Sequence, residues 1–155
     1  MKTHFPAMLL AVSMVTACGR PETAQTPAKA SNELEGTWKL LNGTLIEKGD
    51  TTVTDYTQKV SFIKVINGSH FAFLQHDLTK GKDSTASFSA GGGGYILKDS
   101  AYTEKLEYCT ARDWEGNEFH FTISIRNDTL VQRGVEKVEA AGVERLNIEK
   151  YVRVK

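Results

Sequence analysis

The sequence lacks a surplus of charge of either sign. Its 155 residues include 19 Lys and Arg and 19 Asp and Glu, so the formal net charge is zero. A protein that holds a phosphate backbone needs clustered basic side chains to neutralise it. The composition therefore argues against nucleic acid as a partner.

A long apolar run is also missing. Residues 5–14 are apolar apart from Ser13, but a membrane-spanning helix needs roughly 20 such residues. Lys2 and His4 precede this run and small residues follow it, which is the layout of a secretory signal peptide. The sequence therefore predicts a signal peptide at residues 1–17.

The end of this segment, Val15-Thr16-Ala17-Cys18, resembles the signal of bacterial lipoproteins, in which an aliphatic residue and two small residues precede a cysteine. The resemblance implies that Cys18 becomes the lipidated mature N-terminus, and several acyl chains would make a durable anchor. Gly19 after the cysteine implies the outer membrane within the bacterial cell envelope, in contact with the periplasm. The alternative is an ordinary secretory signal that contains a cysteine.

Cysteine is otherwise scarce, because only Cys109 remains beyond Cys18. A single thiol cannot form an internal disulfide. Cys109 lies in a strand-like run and is interpreted as a small buried hydrophobic residue.

Aromatic residues are absent from residues 19–33, which are rich in Ala, Thr and mixed charges. Such a composition cannot bury enough apolar surface to order itself. We therefore expect a flexible tether at residues 18–33 and one folded domain at residues 34–155, about 120 residues long.

Helical periodicity is missing from this domain. Apolar residues alternate with period two, most cleanly at Phe119, Phe121, Ile123 and Ile125, and turn residues recur throughout. This pattern, with short connections, predicts an all-β domain: an antiparallel up-and-down β-barrel of eight to ten strands. A β-sandwich is the alternative.

Glycine marks several of the predicted turns. Asn67-Gly68 predicts a tight hairpin, and Asn42-Gly43 is interpreted as an interruption of the first strand. The four residues Gly91 to Gly94 are interpreted as a flexible turn or bulged corner, since no helix follows that could complete a phosphate site.

Two short motifs at the ends of the domain resemble those of the lipocalin and wider calycin families, specifically small bacterial lipocalin-like lipoproteins. Gly36-Thr37-Trp38 matches the Gly-x-Trp of their first strand, and Arg153 matches the basic residue of their last. The resemblance implies that Arg153 packs over Trp38 and closes the barrel, a contact worth roughly 0.5–2 kcal/mol. The connections are too short for the helical lid or the final helix of those families.

Alternation from Trp38 and Arg153 predicts which other side chains face the interior. Leu40 follows Trp38, and Glu149 and Tyr151 precede Arg153 on the inner face.

The strand at residues 102–109 has one aromatic and amphipathic face, made of Tyr102, Glu104, Leu106 and Tyr108. We expect this face inside the barrel, where an unpaired carboxylate would be costly. Glu104 should therefore have a partner, with Arg133 or Arg153 as candidates. It then either binds the polar end of a small ligand or forms a salt bridge that fixes the strand register.

Two functions remain open at this point. The first is a binding module for a small hydrophobic or amphipathic molecule, with a real cavity. Its predicted ligand-binding residues are Phe71, Phe73, Tyr95, Tyr102, Glu104, Tyr108, Phe121 and Arg133. The second is a structural or interaction lipoprotein with a packed barrel.

Catalysis has no motif in the sequence. His70 and His76 lie roughly 20 Å apart along one strand and cannot share a metal, and His120 stands alone. We therefore predict no catalytic residues, no metal and no cofactor, so the protein is not expected to be an enzyme. The oligomeric state is left open.

Overall fold

The computed structural model describes residues 33–155. The predicted signal peptide, the lipidation site Cys18 and all but the last residue of the predicted tether lie outside the described residues. Within residues 33–155, no helix is long and apolar enough to cross a membrane.

The described chain is built almost entirely of β-strands. The only helical segments among these residues are two short 3-10 turns, at Arg112–Trp114 and Glu139–Ala141. The strands are β1 (Gly36–Glu47), β2 (Asp50–Asp55), β3 (Val60–Ile66), β4 (His70–Asp77), β5 (Phe88–Lys98), β6 (Ala101–Lys105), β7 (Tyr108–Cys109), β8 (Glu118–Arg126), β9 (Thr129–Val138) and β10 (Val143–Arg153).

These strands form one closed antiparallel barrel. β2 and β3 lie one after the other along β1, and β6 and β7 lie one after the other along β5. The ten strands therefore make an eight-stranded wall. β10 pairs with β1 from Trp38 opposite Arg153 to Ile46 opposite Leu146, which closes it. The predicted up-and-down barrel is confirmed, and the sandwich is excluded.

Local turn chemistry explains the short connections. Asn67 Oδ1 accepts hydrogen bonds from the backbone N–H groups of Ser69 and His70, at 2.9 and 2.8 Å, in the β3–β4 hairpin that the sequence predicts. Asn127 and Asp128 join β8 to β9 with φ angles of 47° and 61°. Positive φ at both central positions is what a type I′ hairpin turn requires.

The glycine run is not a flexible turn, so that part of the prediction is wrong; a bulge does lie beside it, in the segment between β6 and β7. Gly91 to Gly94 lie inside β5 and pair with the first half of β4. A Cβ atom on Gly93 would clash with the carbonyl oxygen of Lys105, and one on Gly92 would clash with that of Phe71. The glycines are needed because neighbouring backbone approaches too closely for a side chain.

Asn42-Gly43 also proves to be strand and not an interruption. Leu40 pairs with Tyr151 but Asn42 pairs with Lys150, so Leu41 is an extra residue in β1. This bulge reverses the alternation of the strand. Trp38 and Leu40 are buried before it, and Gly43 is buried after it.

One end of the barrel is closed by Trp38, which is fully buried. The guanidinium carbon of Arg153 lies 4.1 Å from the centroid of the Trp38 ring. Arg153 Nη1 also donates to the Glu35 carbonyl at 2.7 Å, and Trp38 Nε1 donates to the Leu34 carbonyl at 2.8 Å. The structure thus has the contact between first and last strand that the resemblance implies. It also holds the chain entering β1 against this end.

Gly36 makes room for this arrangement. Its φ angle is +138°, and a Cβ atom there would lie 2.6 Å from Arg153 Nη1. The glycine of the Gly-x-Trp motif is therefore required both by backbone conformation and by the position of the arginine.

Replacing Arg153 tests the closure. Arg153→Ala should lower the free energy of unfolding by about 2–4 kcal/mol, since it removes the stacked cation and its bond to the Glu35 carbonyl. Arg153→Lys keeps the positive charge but lacks the planar guanidinium. Its loss of unfolding free energy should therefore be smaller than that of Arg153→Ala. Chemical denaturation measures both, with the exposed Arg126→Ala as a control expected within about 0.5 kcal/mol of wild type. Equal losses for Arg153→Ala and Arg126→Ala would show that the contact does not stabilise closure.

Candidate functional site

A cavity of about 250 Å³ lies inside the barrel at the end away from Trp38. The two 3-10 turns are in contact with each other, and Trp114 of the first turn lines the cavity. We call the two parts of the interior the closed half, which contains Trp38, and the open half, which contains the cavity.

Aromatic rings supply most of the apolar wall of the open half. The Phe62 ring stacks on Phe73 with centroids 5.7 Å apart, and Tyr56 meets Phe62 edge-on at 5.9 Å. Such pairs add to the stability that burial alone gives. The lining rings are those of Tyr56, Phe62, Phe73, Trp114, Phe119, Phe121 and Tyr151.

A buried ion pair lies at the inner side of the cavity. Lys64 Nζ on β3 lies 2.7 Å from Glu104 Oε1 on β6 and donates to Gln132 Oε1 on β9 at 3.1 Å. The ammonium also lies 5.5 Å from the ring centroids of Phe71 and Tyr151. Glu104 therefore has a partner, as expected, but the partner is Lys64.

The expected partners Arg133 and Arg153 are both wrong. Arg133 is exposed, with its side chain on the outer face of β9. Arg153 is committed to Trp38 at the closed end.

The electrostatic environment raises the pKa of both members of the pair. Burial alone would lower the pKa of Lys64, but the charge of Glu104 and of the further carboxylates Glu149 and Glu136 raises it overall. Burial raises the pKa of Glu104, and the Lys64 charge offsets this only in part. The two shifts go in the same direction for different reasons, burial for Glu104 and the surrounding carboxylates for Lys64.

A second ion pair lies nearer the mouth. Glu136 accepts from Arg145 Nε at 2.8 Å and from Asn147 Nδ2 at 2.7 Å, so each of its oxygens has a donor. The Arg145 guanidinium also lies 5.3 Å from the Trp114 ring centroid. This pair therefore holds the 3-10 turn at the mouth against the barrel wall.

Glu149 is the third carboxylate of the cavity. Its Oε2 accepts a hydrogen bond from the Tyr151 hydroxyl at 2.8 Å. Within residues 33–155, no Lys or Arg nitrogen lies within 4.0 Å of it. Burial raises the pKa of Tyr151 and of Tyr56, and the Glu149 charge raises both further. The alternation from Arg153 places Glu149 and Tyr151 inside, and the structure has them there.

The eight predicted ligand-binding residues separate into three groups. Phe73, Glu104 and Phe121 line the cavity. A second group does not line it and packs in the interior beside it; this group consists of Phe71, Tyr95 and Tyr102. The third group, Tyr108 and Arg133, faces outward, so the interior positions predicted for them are wrong.

The second group has its own contacts. The Tyr95 hydroxyl donates to the Asn67 carbonyl at 2.8 Å, and its ring lies 5.3 Å from that of Tyr102. Tyr102 is fully buried, and its hydroxyl lies near the carboxylate of Glu104. Burial raises the pKa of this hydroxyl, and the Glu104 charge raises it further.

A bulge explains the error at Tyr108, which is 69% exposed. Tyr95 pairs with Glu104, so an unbroken register would place Gly91 opposite Tyr108, yet Gly91 pairs with Cys109. The extra residue reverses the alternation, and Cys109 lines the cavity in place of Tyr108. Two hydrogen bonds hold the bulge: the Leu106 N–H donates to the Asn117 carbonyl, and the Gly116 N–H donates to the Leu106 carbonyl. The local pattern does not reveal these contacts with a distant loop.

Sequence reasoning also missed Lys64. Both faces of β3 carry apolar residues, with Phe62 and Ile66 on one side and Ile63 and Val65 on the other. Alternation therefore does not say which face is inside. The available signal was Glu104 itself, because a buried acid requires a cation on another strand.

Comparisons with known proteins add little to this description. No family model matches the chain, and no curated protein matches it. Among solved structures, the chain is similar to an uncharacterized protein from Bacteroides eggerthii, with 13% sequence identity and a TM-score of 0.44. The match covers 77% of this chain and 98% of that one. The strand pairing and the cavity by themselves define the class as a closed eight-stranded antiparallel barrel with a partly filled interior.

Substitutions of Lys64 and Glu104 measure how much stability is lost when one buried charge has no partner. Lys64→Met should lower the free energy of unfolding by about 3–5 kcal/mol, because it leaves Glu104 buried without a cation. The double variant Lys64→Met/Glu104→Leu removes both charges and should recover most of this loss. Denaturation of wild type, both single variants and the double variant gives the coupling energy.

The pH dependence provides a second readout. In Lys64→Met the folded pKa of Glu104 should lie further above the ordinary value of 4.5. The folded state then binds protons more tightly than the unfolded state, so this variant should gain stability as pH falls from 7 towards 4.5. The double variant lacks the Glu104 carboxylate and should not gain stability in this way. If both variants respond to pH in parallel, the pH dependence does not come from Glu104.

Proposed function

We propose that this protein is a lipid-anchored, lipocalin-like barrel of the bacterial envelope that binds a small amphipathic molecule in its open half. The observation that carries the proposal is the cavity of about 250 Å³ with aromatic walls and inward polar groups. Its size matches roughly eight water molecules and is close to the lower end of small-molecule sites. The ligand is therefore small.

The proposed localisation of the protein rests on its sequence. The lipoprotein-like segment ending at Cys18 supports a lipidated N-terminus, and Gly19 supports the outer membrane. The Gly-x-Trp motif stacked beneath Arg153 supports kinship with lipocalin-like proteins. A tethered barrel of this kind would hold its ligand next to the membrane surface.

The alternative is an interaction protein whose barrel is packed solid. The closed half fits that description, since Trp38 and Tyr102 are fully buried. The open half does not, because aromatic side chains surround unfilled space there. The cavity therefore favours the binding function.

Mass spectrometry of the full chain, purified in detergent from the membranes of its native host, tests both parts of the proposal. The intact mass should correspond to a chain that begins at Cys18 and carries acyl groups. Small molecules released on denaturation should include one compound that accompanies the protein in a constant ratio. An unmodified chain would contradict the anchor, and no released compound would contradict the binding function.

A matched pair of variants assigns the compound to the cavity. Leu45→Trp adds an indole to a residue that lines the cavity, whereas Val53→Trp adds the same ring to an exposed position on the neighbouring β2. The first variant should lose most of the compound and the second should retain it. Equal retention by both would mean that the compound binds elsewhere.

A further inference from the structure

The charges around the cavity do not cancel. Three carboxylates and two cations line it: Glu104, Glu136 and Glu149 against Lys64 and Arg145. The two cations each form a close ion pair with a different carboxylate, at 2.7 and 2.8 Å. Glu149 is left with the Tyr151 hydroxyl as its partner among the described residues.

Both cations that line the cavity are engaged with other partners. Lys64 donates to Glu104 and Gln132, and Arg145 is bound to Glu136 and lies over Trp114. A carboxylate in a partly enclosed site is costly unless a cation or several donors compensate it. The open half therefore leaves one carboxylate, Glu149, to which a cationic ligand can bind.

Aromatic rings surround the same position. Phe62 contacts Tyr56 at 5.9 Å and Tyr151 at 6.3 Å between ring centroids, and all three rings line the cavity with Glu149. The faces of aromatic rings attract cations, and cages of such rings recognise ammonium groups. The rings and the carboxylate thus favour the same kind of ligand.

Backbone pairing brings the Tyr56 ring close to the position opposite Glu149. The residue opposite Glu149 on β1 is Gly43, which has no side chain to cover it. A Cβ atom on Gly43 would lie 3.3 Å from the Tyr56 ring, so the ring takes the place of a β1 side chain. The bulge at Leu41 brings Gly43 to this inner position.

We infer that the open half selects a small organic cation, an amine with a short apolar or aromatic body, whose ammonium group binds Glu149 among Tyr56, Phe62 and Tyr151. This inference rests on the proposed binding function and specifies its ligand class. The apolar body lies against the remaining rings of the cavity, including Phe119 and Phe121. Anionic amphiphiles such as fatty acids are disfavoured because the Glu149 charge repels them.

Three probes of matched shape test the inference by calorimetry on the full chain in detergent, with detergent alone as the blank. Phenethylamine, phenethyl alcohol and phenylpropionate share a phenyl body and differ in the charge of the polar end. The amine should bind with a dissociation constant of about 1 mM or lower. The alcohol should bind roughly tenfold more weakly and the acid most weakly.

Two variants assign the selectivity to Glu149. Glu149→Gln keeps an acceptor for the Tyr151 hydroxyl and should weaken amine binding about tenfold or more while leaving the alcohol unchanged. Glu144→Gln removes the same charge from an exposed position on β10 and should have no effect. Far-ultraviolet circular dichroism checks that both variants are folded.

The outcomes separate this inference from the proposed function. Equal binding of all three probes, preference for the acid, or an amine affinity unaffected by Glu149→Gln would overturn cation selection while leaving a functional cavity. If no probe binds, cation selection is also overturned. The test of the binding function is then the compound released from protein purified from its native host.

Discussion

The interior of this barrel depends on one constraint, the pairing of two opposite charges buried in its middle. Lys64, Glu104 and Gln132 come from β3, β6 and β9, which are spread around the wall. None of the charged groups can be left alone at this depth without a large desolvation cost. A buried ion pair adds little net stability over apolar residues, but losing one partner is costly. A strand register that separated Lys64 from Glu104 would therefore be costly.

This constraint divides the interior into two halves with different roles. On one side, Trp38, Leu40 and Leu130 are packed and almost fully buried, and Arg153 joins the first strand to the last. On the other side, rings and polar groups line open space, and Glu149 has no cation beside it among the described residues. Stability is concentrated where packing is complete. The proposed binding function falls where packing and charge pairing are incomplete, which is common at functional sites.

Much of the fold could be predicted from the sequence, because period-two alternation and turn chemistry act locally. The hairpin at Asn67-Gly68 and the interior positions of Glu149 and Tyr151 follow from such rules. The need of Glu104 for a partner follows from electrostatics alone. The identity of that partner does not, since Lys64 lies on a strand with two apolar faces.

The errors arise where a distant contact changes a local pattern. Single extra residues at Leu41 and between Lys105 and Tyr108 reverse which side chains face inward. The second bulge is held by a loop that lies ten residues further along the chain, and this moved Tyr108 outside and Cys109 inside. The glycines of β5 were misread for the same reason, because the backbone that approaches them comes from β4 and from the bulge.

A crystal structure of protein purified from its native host tests most directly the proposal that the open half holds an organic cation at Glu149. Elongated electron density should lie between the rings of Tyr56 and Tyr151. Its basic end should lie about 2.7–3.2 Å from a Glu149 oxygen. Density whose acidic end contacts Arg145, or an open half filled by water or collapsed side chains, would contradict it.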